Sequence, residues 1–247
     1  MRRALAILIS LVAFAAVVIA FAPASLVGVA LERASGGTVA LAAADGTLWH
    51  GHGTMTSGRA VRVPVAWLIE PWPLLKGELR LHLLPPNAAG QSPHGDIVAR
   101  RDTVTLRDVD VTLPANIAEG MAPRPGVRVS GDVRVATPSL DWTPATFAGG
   151  ARIDWRDAQL GLTADPALRL GTVSATLSTA ENGLTGPVTN EGGDYEVRGT
   201  LSLTASGAPN LAVTMTPRAG DSAQSRSLSI KPGADGNWNV GFRTGPP

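Results

Sequence analysis

The stretch that decides the fold is VRVSGDVRV, residues 127–135, in which valine alternates with arginine, serine and aspartate. Successive side chains of a β-strand point to opposite faces, so this two-residue rhythm predicts a strand with one buried face and one wet face. The same rhythm recurs at Leu79–Leu83, Tyr195–Leu203 and Leu211–Met215. The sequence therefore predicts a mainly all-β fold built on an antiparallel sheet.

Two predicted strands change the parity of their apolar residues midway. Val104 and Leu106 give way to Val109 and Val111, and a second switch falls at Gly171-Thr172. A strand keeps one face buried through such a switch only if it contains a β-bulge, which we place at Arg107-Asp108 and at Gly171-Thr172. Bulges increase twist, so the sheet is predicted to be strongly curved, with an open groove and a sandwich-like arrangement both compatible.

Glycine and proline punctuate the chain, with 28 and 19 residues respectively in 247. Such punctuation favours many short strands and turns over long helices. Clusters of turn-forming residues predict four loops, which are Pro85–Gly95, Ala118–Gly126, Gly183–Gly193 and Gly220–Ser227.

Charge and cysteine content exclude several classes of function. The formal net charge is +1, and Arg2 and Arg3 supply part of the positive charge, so the sequence offers no basic stripe for a nucleic-acid backbone. The chain has no cysteine, which excludes disulfides, thiolate metal sites and cysteine nucleophiles.

The N-terminus carries an apolar segment of bilayer length. Ala4–Phe21 is apolar except for Ser10, and as a helix it would be about 27 Å long. Arg2 and Arg3 precede it, which predicts a cytoplasmic N-terminus and a periplasmic remainder. A cleaved signal peptide is the competing interpretation, with Ala20-Phe21-Ala22 as a small-x-small site, although Pro23 would hinder that cut.

The predicted organisation has five parts. They are a cytoplasmic tip (1–3), a transmembrane anchor (4–24), a short helix (25–36), a periplasmic β domain (37–217) and a weakly structured C-terminal strand and tail (218–247). We expect Ser25 to cap the short helix and Gly36-Gly37 to end it.

No residue pattern predicts catalysis, a cofactor or a metal site. His50 and His52 share a predicted strand face, but no third ligand is evident nearby. Asp108 and Asp110 also share a face, and His82 alternates with leucines; a wet strand face is the simpler interpretation of both patterns. The chain contains no nucleophile elbow, zinc helix or phosphate loop in a suitable context.

Tryptophan supplies the candidate functional residues. Trp49, Trp67 and Trp72 fall within 24 residues, and tryptophan often anchors interfaces. We predict these three residues as an interaction surface. Core packing is the simpler interpretation for Trp49 and Trp67, whereas Trp72, between Pro71 and Pro73, is equally compatible with a rigid exposed turn.

Several motifs, taken in order, resemble one family. The chain reads ASGGTV at 34–39, DGTLWHG at 45–51, and W-x-x-x-P from Trp67 to Pro71, followed by LPA at 113–115 and GDY at 193–195. This arrangement resembles the general secretion pathway protein N family, the N component of type II secretion systems, over roughly 180 to 200 residues.

The resemblance implies a non-enzymatic accessory subunit of an envelope-spanning export machine. It would be held in the inner membrane with its C-terminal domain in the periplasm, and its partners would be other secretion-machinery subunits. The family is also similar to periplasmic β-groove proteins linked to lipid handling, so a lipid-binding or lipid-guiding module is the alternative. An envelope hydrolase is a third hypothesis, for which no nucleophile–base pair can be named.

Overall fold

A computed structural model describes residues 14, 17–37, 39–57, 61–85, 93–116, 127–162, 165–181, 183–204, 209–218, 226–232 and 238–244. Two helices have described bounds, α1 (Ser25–Ala34) and α2 (Pro71–Leu74), and the described residues 14 and 17–20 are also helical. The strands are β1 (Val39–Gly46), β2 (His50–Ser57), β3 (Val61–Glu70), β4 (Leu79–Leu84), β5 (His94–Arg100), β6 (Thr103–Pro114), β7 (Val127–Trp142), β8 (Phe147–Leu162), β9 (Asp165–Ala180), β10 (Gly183–Glu191), β11 (Tyr195–Thr204), β12 (Pro209–Pro217), β13 (Arg226–Pro232) and β14 (Trp238–Thr244).

All fourteen strands form one sheet whose spatial order is the order of the sequence. Each strand pairs antiparallel with the next, as in Trp67 with Leu83 between β3 and β4. β1 and β14 lie at opposite ends of the order, so the sheet in the described residues is open. The prediction of a mainly all-β antiparallel fold is confirmed, and the sheet continues through β13 and β14 into the stretch predicted to be weakly structured.

The two predicted bulges are present. Asp108 has φ 47, and the register between β5 and β6 slips by one residue beside it, between His94 and Asp96. Gly171 has φ 74, and the register between β8 and β9 slips next to it. Both slips keep the apolar residues on one face of the sheet, because each inserts one unpaired residue where the sequence parity changes.

The core lies on the apolar face of β8 to β12. Leu184 and Met215 are its largest fully buried side chains, at 2% and 1% exposure. In a single flat sheet, nothing would cover the Leu184 and Met215 side chains, and they would be exposed to solvent. Strands β9 and β11 are two positions apart, yet some of their Cα atoms come within 8 Å, closer than the roughly 9.6 Å of a flat sheet. The sheet therefore bends sharply here and packs its apolar face against itself.

The predicted loop at Gly183–Gly193 is wrong, because Gly183–Glu191 is strand β10. A Cβ on Gly186 would lie 1.9 Å from the Thr176 carbonyl oxygen, so glycine permits the close backbone approach that the bend requires. The pairing of β10 with β9 skips Gly186 and Pro187. The ladder between these strands therefore needs no hydrogen bond from Pro187, which has no N–H. The other three predicted loops fall mostly outside the described residues.

Helix α1 packs against the first strand, where Gly28 lies close to Leu41. Its N-cap is Ala24, so the prediction that Ser25 caps it is wrong; Gly36 and Gly37 follow its end with positive φ. The predicted cytoplasmic tip (1–3) and most of the predicted anchor, residues 4–13, 15 and 16, lie outside the described residues. Within the described part of the chain, no helix has both the length and the apolar character needed to cross a bilayer.

Candidate interaction surface

The N-terminal segment joins the sheet at one end, beside the turn between β1 and β2. Leu48 N–H donates to the Ala22 carbonyl at 2.7 Å, and Ala24 N–H donates to the Gly46 carbonyl at 3.2 Å. Trp49 Nε1 donates to the carbonyl of Ile19 at 2.9 Å. These bonds fix residues 19–24 to residues 46–49, so Trp49 ties the chain to its N-terminal segment.

Trp67 belongs to the interior. Its side chain is 3% exposed, and its Nε1 donates to the Leu48 carbonyl at 3.1 Å. The ring lies over Gly51 of the neighbouring strand, where an added Cβ would be 2.6 Å from Trp67 Cζ2. Burial with a satisfied indole N–H is core packing, so Trp67 is not on the surface predicted for it.

Trp72 lies on the surface, in the turn between β3 and β4. We call residues 71–76 the Trp72 turn; it comprises α2 and the two residues that follow. Pro71 starts α2, where the missing N–H of proline costs nothing. The exposed fractions are 78% for Trp72, 41% for Leu74 and 81% for Leu75. Three large apolar side chains therefore point into solvent from a short, proline-stiffened turn.

The Trp72 turn and the N-terminal segment lie at the same end of the sheet. Ile69 N–H, two residues before Pro71, donates to the Trp49 carbonyl at 2.6 Å, while the Trp49 indole bonds to Ile19. Trp49 thus connects the two. The N-terminal side carries its own exposed apolar residues, which are Phe14, Val17, Val18, Ile19 and Phe21. We call this end of the sheet, with residues 17–22, 47–49 and 71–78, the tryptophan end.

A cluster of partly buried charged side chains lies on the polar face of the sheet, beside this end. His82 Nδ1 is 2.6 Å from Asp96 Oδ1, and His82 Nε2 is 2.9 Å from Glu70 Oε1. Hydrogen bonds to Glu70 and then to Asp96 raise the pKa of His82 above its usual value. The sequence placed His82 on a wet face, and its alternation with Leu81 and Leu83 holds. The partners become visible only once the strand register is known.

Glu78, at the entry to β4, joins two arginines from neighbouring strands. Arg100 Nε donates to Glu78 Oε2 at 2.8 Å, and Arg80 binds the other carboxylate oxygen. The hydrogen bond from Arg80 is the largest cause of the lowered pKa of Glu78. Arg80 also lies 3.7 Å from Glu70. The carboxylates next to the Trp72 turn are therefore already paired with cations of the same chain.

Further along the polar face, acidic residues pair with arginine. Asp110 binds Arg134, and this hydrogen bond is the largest cause of the lowered pKa of Asp110. Asp154 accepts from Arg152 at 2.8 Å and from the Ser174 hydroxyl at 2.7 Å, and the arginine bond leads in lowering its pKa. Asp110–Arg134 and Asp154–Ser174 are cross-strand pairs, whereas Arg152 and Asp154 share one face of β8; all three contacts stabilise the wet face.

His50 and His52, which the sequence placed on one strand face, do not join a group of possible metal ligands among the described residues. His50 and His52 are exposed, and His52 Nε2 lies 3.9 Å from Asp45 Oδ2. No group of three histidine or acidic side chains in the described part of the chain is placed to hold a metal ion. Among the predicted surface tryptophans, the structure brings Trp49 and Trp67 together around Leu48 and leaves Trp72 exposed.

Comparison with known proteins gives a family match over most of this sheet. A family model described as Type II secretion system (T2SS), protein N, matches residues 37–236, from the end of the α1 turn to the segment before β14. Neither a curated protein nor a solved structure matches the chain. The resemblance drawn from the sequence motifs is confirmed by the family match.

Proposed function

The chain belongs to the type II secretion system protein N family, and from that premise we propose that it is an inner-membrane-anchored, periplasmic accessory subunit. In this role it supports the export of folded proteins across the outer membrane by contacts with other subunits of the machine. The observation that carries the proposal is the family match over residues 37–236.

Attachment to the inner membrane is supported by the apolar N-terminal segment. Ala4–Phe21 has one polar residue, and the described part of it exposes Val17, Val18 and Ile19 by more than half. Exposed contiguous apolar surface marks a membrane or protein contact. Arg2 and Arg3 before the segment favour a periplasmic sheet.

Contacts with other subunits are supported by the open sheet. β1 and β14 each have one neighbouring strand in the order. At the start of β1, Ser35 Oγ already bonds the Val39 N–H and carbonyl, and the remainder of each outer strand has no second strand beside it among the described residues. A strand edge offers backbone donors and acceptors to an extended segment of a partner. A scaffold of this kind acts by position and contact, which fits an accessory subunit.

A clean deletion of the gene tests the proposal. We expect secreted substrates to accumulate in the periplasm, or other subunits of the machine to fall in abundance, and a plasmid-borne wild-type copy to restore both. Secretion and subunit levels that both remain normal in the deletion strain would contradict the proposed role.

Site-specific crosslinking in cells tests the edge contact. A photo-crosslinking residue at Ala40, on edge strand β1, is expected to capture a secretion subunit. The matched control is Thr176, which is also exposed but lies on β9 in the middle of the sheet. Capture at both positions, or at neither, would remove the edge as the contact surface.

Lipid binding is the second candidate, favoured by one observation. The apolar face of β4 to β7 stays half-buried, as at Leu81, Val111 and Val135, whereas β8 to β12 pack shut. A partly open apolar face could hold an acyl chain. Phospholipid that co-purifies in fixed stoichiometry, and crosslinks to Val111 but not to buried Val197, would support this function; protein free of bound lipid would remove it.

A further inference from the structure

The Trp72 turn is the most exposed apolar feature of the sheet itself. Trp72 and Leu75 are about four-fifths exposed, and no described contact of the fold needs their side chains in that position. We propose that this turn is a second membrane contact, inserting Trp72, Leu74 and Leu75 into the interface of the bilayer that holds the N-terminal segment. This inference rests on the proposed membrane attachment and adds a named contact to it.

The composition of the turn fits a bilayer interface. Tryptophan is enriched at the headgroup level of membranes because its ring is apolar and its N–H is polar. Leu74 and Leu75 provide the apolar part, and Lys76 follows them with an exposed charge. A lysine next to apolar residues lies along the surface and places its ammonium among lipid phosphates.

Size favours lipid over a protein partner. Three side chains on the short Trp72 turn present far less than the roughly 800 Å² per partner of a standard protein interface. A bilayer sets no such threshold, because the covalent chain already holds the turn at the surface. The second contact then becomes intramolecular and needs little affinity of its own.

Position is the second argument. Trp49 bonds to Ile19 on one side and to Ile69 on the other, so the exposed residues 17–21 and the Trp72 turn leave the same end of the sheet. If residues 17–21 are at the membrane, this turn faces the same membrane. A described turn at the same end, residues 143–146, carries only threonine, proline and alanine.

The charges near the Trp72 turn allow it to approach an anionic bilayer. Glu70 is bound by His82 and Glu78 by Arg80 and Arg100, so these carboxylates are neutralised before they meet lipid phosphate. Arg101 and Asp102 are both exposed in the next turn at this end and offset each other, whereas Lys76 is exposed within the Trp72 turn itself. The charge nearest the proposed contact is therefore positive, which favours anionic headgroups.

The test uses spin labels on the full chain, which contains no cysteine of its own. Single-cysteine variants Trp72→Cys, Leu75→Cys, Ile19→Cys, Ala145→Cys and Glu191→Cys are labelled and reconstituted into vesicles of phosphatidylethanolamine and phosphatidylglycerol. Accessibility to oxygen, which partitions into lipid, is compared with accessibility to a water-soluble nickel chelate. Ala145 lies in the turn between β7 and β8, at the same end of the sheet as the Trp72 turn. Glu191 is the last residue of β10 and lies at the opposite end of the sheet.

Labels at Trp72 and Leu75 are expected to be several-fold more accessible to oxygen than to nickel, while Ala145 and Glu191 show the reverse. Labels at Trp72 and Leu75 that stay aqueous while Ile19 lies in lipid would overturn the inference, leave membrane attachment intact, and point to a protein partner. Aqueous labels at Ile19 as well would count against the proposed membrane attachment itself.

Discussion

Strands β1 to β5 and strands β8 to β12 belong to one sheet but bury their apolar side chains to different depths. The first group has strands of 6 to 10 residues, and Val63 and Trp67 are its only buried large apolar side chains among the described residues. The second group includes two strands of 16 residues and buries Leu160 and Met215 in one apolar cluster and Leu184 in an adjoining one, with Ile153 and Leu201 packed against both.

The difference teaches that alternation decides which face is apolar, while curvature decides how deeply that face is buried. Strands β8 to β12 bend so sharply that some Cα atoms of strands two positions apart lie within 8 Å of each other. Gly186 permits the bend because it has no side chain at the point of closest approach. The first group instead uses helix α1 on β1 and leaves its Trp72 turn exposed. Stability is therefore concentrated in the second group and surface contact in the first.

The largest expected effect lies in the curved core. Leu184→Ala should lower the free energy of unfolding by about 3 kcal/mol, because it removes a side chain that is 2% exposed and leaves a cavity. Leu81→Ala, in half-buried β4, is the matched control and should cost roughly half as much. Urea unfolding in one detergent measures both; equal losses would show that the two groups do not differ in packing.

The packing of Trp67 on Gly51 gives the next effect. Gly51→Ala should cost about 2 kcal/mol, since the new methyl would lie 2.6 Å from the Trp67 ring and 2.9 Å from the Asp45 carbonyl. Gly161→Ala is the control, because its Cβ meets Arg128 at 3.4 Å. Thermal unfolding that is unchanged in Gly51→Ala would mean that the first group tolerates repacking.

A smaller effect follows pH. The folded-state pKa of His82 is raised, so its contribution to stability is fully present below about pH 6.5, the usual histidine pKa, and is lost as the pH rises through the folded value. His82→Gln should therefore destabilise by up to about 1 kcal/mol in mildly acidic buffer and by less in alkaline buffer. Unfolding measured across this range, with exposed His50→Gln as control, checks the sign; a loss that grows with pH would contradict it.

The smallest effect on stability is expected at the exposed turn. Trp72→Ser with Leu75→Ser should change the unfolding free energy by less than about 0.5 kcal/mol, because both side chains are about four-fifths exposed. Urea unfolding in the same detergent measures it. A loss above about 1 kcal/mol would show that the turn packs on the sheet and that the division between stabilising core and contact surface is wrong.

Elements with a local signal could be predicted from the sequence. Period two identified the strands, and parity switches located the bulges at Asp108 and Gly171. Sequence reasoning failed at β10, because Gly186 and Pro187 are turn-forming residues by composition and here allow a bend inside a strand. Local chemistry cannot distinguish those two uses; the contact with Thr176 decides, and that contact is set by tertiary structure.

The candidate site divides in the same way. The proline pair around Trp72 indicated a stiff turn from sequence alone, and the structure places the ring in solvent. The bond from Trp49 to Ile19 and the pairing of His82 with Glu70 and Asp96 depend on residues 12 to 30 positions apart. Such pairs require the strand register, which alternation within one strand does not give.

The strand order of this sheet has a consequence for biogenesis. Because each strand pairs with its immediate neighbour in sequence, the average separation of contacting residues is short, and such low contact order permits fast folding. A chain synthesised from its N-terminus could add one hairpin at a time, with each new strand docking on the edge left by the last. The curved core of β8 to β12 would then close late, after β1 to β5 have already paired.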